Sequence, residues 1–146
     1  MATDIQQHCE TIEECYEFTL SYAARGVSGE DAGDAGKQLR EHLTRAAEAM
    51  RGLARSYAET IEQEQLAPAE KYEAFFAVLQ RDAESAVAAV EMVLAQAAIS
   101  SQLIDNLNAS IHLRALLADL FLVTEILDAR QTQARVQAGN GSVGPR

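Results

Sequence analysis

Tryptophan is absent from the 146 residues, and aromatic side chains make up only 5% of them. Strands draw heavily on aromatic and β-branched residues, so this scarcity, with abundant Ala, Leu, Glu and Gln, argues against a β-sandwich or barrel and for helices. Cysteine is nearly as rare. Cys9 and Cys15 are the only two, and on one helix they fall roughly 120° apart and about 9 Å along the axis, too far to bridge. Free thiols fit a reducing compartment, and the expected location is cytoplasmic.

Cations are outnumbered, 12 Lys and Arg against 22 Asp and Glu, for a formal net charge of −10. Such a chain repels phosphate backbones unless its cations gather on one face. Lys37, Arg40, Arg51 and Arg55 form the single basic cluster, but Glu41, Glu48, Glu59 and Glu62 lie among them. That mixture predicts ion pairs one turn apart, such as Arg55 with Glu59, and no nucleic acid. No long apolar run occurs either. The best candidate, Ile111 to Leu127, is interrupted by His112, Arg114, Asp119, Thr124 and Glu125, so no membrane span is expected. Met1 to Asp4 carries no secretory pattern.

What is present is helical periodicity. The first helix is expected from Asp4 to Arg25, opened by Thr3 and Gln6 in capping-box spacing and closed by Gly26. Ile5, Cys9, Ile12, Tyr16, Thr19 and Ala23 form its apolar stripe. Glu10, Glu13, Glu14 and Glu17 form an acidic side, read as a solvated face with docking of a basic partner as the alternative. Gly26 to Gly36 reads as a loop or a frayed helix start, in which Ser28 and Asp31 offer a second capping box. The second helix is expected from Asp34 to Leu66, with Leu39, Leu43, Ala46, Met50, Leu53, Tyr57 and Ile61 as its stripe.

Pro68 suits the first turn of a third helix, whose broad stripe runs from Tyr72, Phe75, Phe76 and Leu79 to Ala97. No Gly or Pro occurs between Pro68 and Gly139. A turn within Ala98 to Asn106 is expected; the alternative is one helix to Arg130, about 90 Å long at 1.5 Å per residue. The resulting fold class is all-α, an up-and-down four-helix bundle spanning residues 1–130 as one domain, with Gln131 to Arg146 a disordered tail.

The fourth helix is apolar around nearly its whole circumference between Ile111 and Leu127. Helices of that kind are covered on all sides, so a homodimer is expected, with Leu113, Leu116, Leu117, Leu120 and Phe121 as interface candidates.

Catalytic and metal-binding patterns fail one by one. No Glu-x-x-His surrounds His8, His42 or His112, no chelating Cys or His pair occurs, and no phosphate loop or nucleophile elbow is present. No metal, cofactor or enzymatic activity is therefore expected. One polar constellation stands out: Asp105, His112 and Asp119 recur every seven residues, with Asn108 on the same side and Arg114 on a neighbouring polar line. Hydrogen bonding that fixes helix register explains it most simply; a ligand or phosphotransfer site centred on His112 is the sharper alternative. The functional expectation is a non-enzymatic interaction protein, an adaptor, assembly factor or chaperone engaging a protein partner through helical surfaces. A sensory or phosphotransfer-type bundle using His112 is the alternative, and a metal-dependent helical enzyme a second one.

Overall fold

A computed structural model describes residues 4–26 and 33–143, with side chains to residue 139. The capping boxes expected from Thr3 and from Ser28 with Asp31 lie outside the described residues. The described chain is all-helical: α1 (Asp4–Ala24), α2 (Gly33–Gln63), α3 (Ala69–Leu94), α4 (Ser101–Ala109) and α5 (Ile111–Val143). None of these helices is long and apolar enough to cross a membrane.

Local chemistry accounts for the helix ends. α1 stops at Gly26, whose φ of 67° is open to glycine at no steric cost. α2 ends without a glycine. Gln65 takes the left-handed conformation at φ 50°, Leu66 N–H donates to the Ile61 carbonyl and Gln65 N–H to that of Glu62, and Leu66 is buried. This is the Schellman pattern with its apolar contact. Pro68 stands one residue before α3 as its cap. Arg40 of α2 holds the last carbonyl of α3 and two of the connection that follows, its guanidinium donating to Leu94 at 3.0 Å, Gln96 at 2.6 Å and Ala97 at 3.2 Å. A cation there also opposes the helix dipole.

α1 packs on α2, α2 on α3, and α3 on α5, while α4 packs chiefly on α1. The expected stripes face inward: Ile5, Cys9, Ile12 and Thr19 of α1, all seven named residues of α2, and Leu79, Ala83, Ala86, Val90 and Val93 of α3 are buried. The acidic side of α1 is solvent-facing at Glu10, Glu14 and Glu17.

Two expectations are corrected. The segment after α3 is not one helix. It is broken twice, first between Leu94 and Ser101, where Ser100 Oγ caps α4 by accepting from Leu103 N–H, and again at Ser110. There ψ is 133°, and the hydroxyl accepts from His112 N–H, so Ser110 caps α5 as serine commonly does. The unbroken helix to Arg130 is thereby excluded as well. The second correction concerns the tail: α5 does not stop near Arg130 but continues to Val143. Gln131, Gln133, Ala134, Arg135, Gln137 and Ala138 are good helix formers, and no glycine intervenes before Gly139. An existing helix extends through such residues at little cost.

Candidate functional site

The polar constellation does not assemble. Its seven-residue spacing places residues on one side only of a continuous helix, and the bend at Ser110 reorients Asp105 and Asn108 on α4 relative to α5. Asp105, His112 and Arg114 are exposed. Asn108 is buried with both amide atoms lacking a hydrogen-bond partner. Asp119 is half-buried and turned toward Asp82 of α3. Its Oδ2 has no donor while both carboxyls are ionised, and a proton shared with Asp82 supplies one. Burial first, and the Asp82 carboxyl second, push Asp119 up to about 7.

Of the apolar interface candidates, Leu113, Leu116, Leu117 and Leu120 are buried within the chain itself. Only Phe121, 56% exposed, can meet another molecule without the domain opening. Beyond it, Ile111, Leu122, Ile126 and Val136 also stand at the surface of α5.

Leu122 and Ile126 edge a cavity of about 320 Å³ that sequence reasoning missed. The end of α2 supplies Tyr57 and Thr60, the α2–α3 connection Leu66 and Pro68, and the start of α3 Lys71, Tyr72 and Phe75; Val123 and Leu127 complete the α5 wall. Two of the hydroxyls in its lining are already engaged. The Tyr57 hydroxyl donates to the Tyr72 carbonyl at 2.7 Å, and Thr60 Oγ1 donates to the Ser56 carbonyl at 2.8 Å. Tyr57 meets Phe75 edge-on at 6.3 Å between ring centres, and burial pushes its phenol up to about 12. Lys71, at the exposed rim, is the one charged residue lining it. A cavity of this kind accepts an apolar group. The sequence signal was faint: Tyr57, Tyr72 and Phe75 fit their helix stripes as core, and nothing local says that they meet at one end.

Several other reactive side chains among the described residues are buried or paired. Burial pushes the Cys9 thiol up to about 11, partly countered by the Thr124 hydroxyl, and the Cys15 thiol up to about 12. The His42 ring stacks on Phe18 at 4.4 Å, and burial holds it below its ordinary value. Arg51 pairs with Glu91, and Arg55 with Glu59 at 3.2 Å, the pair expected from spacing. Among the described residues no group of three or more His, Cys, Asp or Glu is placed to hold a metal ion. Compared with family models, with curated proteins and with solved structures, the chain matches none.

Proposed function

We propose that this chain is a non-enzymatic helical interaction protein, an up-and-down four-helix bundle with its fourth member bent at Ser110, acting as a homodimer that engages another protein. The observation that carries the reading is the apolar cavity between the end of α2, the start of α3 and α5, open beside the exposed Leu122 and Ile126. Its volume suits one or two large apolar side chains. Its Tyr57 and Thr60 hydroxyls are satisfied from within, so an occupant gains chiefly by burying apolar surface. An amphipathic helix of a partner, inserting an aliphatic or aromatic anchor beside Tyr72 and Phe75, meets those demands.

Proteins that co-purify with the wild type are to be compared with those retained by Ile126→Lys, which sets a charge at the rim, and by Glu10→Lys on the far side of α1. Loss of a specific partner from Ile126→Lys alone, with helical circular dichroism unchanged, is the expected result. Retention of the same partners by Ile126→Lys rejects the cavity as the docking site.

A second reading rests on the exposure of His112, which stands free of the apolar surroundings that its neighbours in sequence suggest. As a phosphoacceptor it would carry acid-labile phosphate that His112→Gln lacks. Absence of such phosphate on protein isolated from its own cells removes that reading.

A further inference from the structure

α5 carries two apolar seams on opposite sides. One, formed by Leu113, Leu116, Leu120, Val123 and Leu127, is buried inside the chain. The other runs through Ile111, Ala115, Ala118, Leu122, Glu125, Ala129, Thr132 and Val136. It alternates steps of four and three throughout, and every member except the half-buried Ala115 is exposed. Ile111 is 75% exposed, Leu122 53% and Val136 57%. Strict alternation of four and three is the spacing by which one helix lays a continuous line against another. It also explains why the segment reads as apolar all round: one face serves the domain and the other is left without a cover.

We infer that α5 pairs with α5 of a second copy, antiparallel, about a two-fold axis at Phe121. The pairing rests on the homodimer reading above and specifies its interface. Size complementarity favours it. With this axis Leu122 lies on the partner's Ala118 and Ile111 on the partner's Ala129, each repeated by symmetry, so both large aliphatic side chains within the paired length, Ile111 to Ala129, meet small ones, while Thr132 and Val136 extend beyond it. Charge complementarity fixes the direction. Arg114, Phe121 and Asp128 lie seven residues apart along one flank of the seam, all exposed. The axis sets Arg114 against the partner's Asp128, and Phe121 against its own copy.

Glu125 falls opposite the partner's Ala115, next to the same Arg114. A parallel pair would instead stack Glu125 on Glu125 and Leu122 on Leu122. It would also direct Arg114 to the partner's Asp119, which already faces Asp82. The other flank is turned toward α3, with Asp119 at Asp82 and Ile126 at the cavity. The Arg114 flank meets the domain at Asp128, whose carboxylate accepts from Gln6 of α1 at 3.4 Å and stays exposed, while Arg114 and Phe121 are exposed.

Sedimentation of the purified chain at micromolar concentration, with charge-swap variants and variants that add one surface cysteine to the buried Cys9 and Cys15, tests the pairing. The wild type is expected to be a dimer. Arg114→Glu and Asp128→Arg should each weaken association by about tenfold or more, and the double variant should return to within about threefold of wild type, because the same pairs form with signs exchanged. Phe121→Cys should form a covalent dimer on mild oxidation. Ile111→Cys should not, since its own copy lies about 27 Å away along the seam at 1.5 Å per residue. All four substituted side chains are exposed, so folding is not at stake. A monomeric wild type overturns both this pairing and the homodimer reading. A dimer in which Ile111→Cys cross-links, or in which the double charge variant binds no better than the singles, overturns the pairing and leaves the homodimer reading standing.

Discussion

The phenol of Tyr22 donates to the carbonyl of Ile99 at 2.7 Å, deep in the protein, and the Tyr22 carbonyl accepts from Ser101 Oγ at 2.6 Å. The last turn of α1 is thus tied on two sides to the connection that turns the chain from α3 into α4. Tyr22 is fully buried, and a connection carries backbone groups that no helix satisfies. Tyr22→Phe leaves the Ile99 carbonyl buried without its donor. A loss of about 1–3 kcal/mol in urea-induced unfolding is expected, with little change in far-ultraviolet circular dichroism of the native state.

The facing carboxyls of Asp82 and Asp119 give stability a pH dependence of unusual sign. Asp119 is raised to about 7 by burial and by Asp82, whereas an unfolded aspartate titrates near about 4. Between these values the folded chain keeps a proton that the unfolded chain has released, so stability falls as pH rises through that window and is flat below it. The carboxyl is only half-buried, and solvent screening reduces the effect to on the order of 1 kcal/mol. Asp119→Asn supplies a donor to Asp82 without a titrating proton and should remove this slope, gaining stability at pH 8. His42, held below its ordinary value by burial, contributes the opposite slope below about 6.5, so the variant must be compared with wild type at each pH. Parallel pH profiles for the two proteins would show that the carboxyls do not share a proton.

Asn108 is buried with neither amide atom partnered. A side chain kept only for structure has little reason to remain in that state, because an unmade buried hydrogen bond costs roughly 1–3 kcal/mol. Asn108→Leu, of the same branched shape and apolar, is expected to raise the urea midpoint by a stabilisation on the order of 1 kcal/mol. A destabilised variant would mean that the amide has partners in solution, through water or another chain.

Legibility of the sequence followed the range of the interaction. The α2 stripe from Leu39 to Ile61, the stop at Gly26 and the Arg55–Glu59 pair depend on residues a few positions apart, and each stands as its spacing implied. The bend at Ser110 depends on a choice between two uses of one serine, as a tolerated helix residue or as a cap for the next helix, and packing of α4 on α1 decides it. That one bend dispersed the predicted constellation, because a heptad line means nothing across a break. Arg40 belongs by sequence to a mixed cluster that predicts ion pairs one turn apart, yet it closes the end of a helix 54 residues away. The cavity is similarly non-local, drawing its walls from three segments of the chain. The outward seam of α5 was visible in outline as all-round apolarity, but only the burial of Leu116 and Leu120 separates it from the core seam.

Gly52 sits mid-helix in α2, where alanine would ordinarily be preferred by about 1 kcal/mol. A Cβ at this position would stand 3.1 Å from Nε2 and 3.4 Å from Cε1 of His8 on α1. The glycine therefore makes room for an imidazole where α1 and α2 pack. His8 is half-buried, and its ring must give by a few tenths of an ångström for a methyl to fit, so gain in helix propensity and loss in packing oppose each other. Gly52→Ala alone is expected to change stability by less than about 0.5 kcal/mol. With His8→Ala the obstruction is gone, and adding Gly52→Ala in that background should stabilise by about 0.5–1 kcal/mol. The two substitutions then couple through one contact, and a double-mutant cycle in urea measures the coupling directly. Strictly additive effects would show that His8 does not rest against Gly52, and that α1 and α2 meet there at a wider separation.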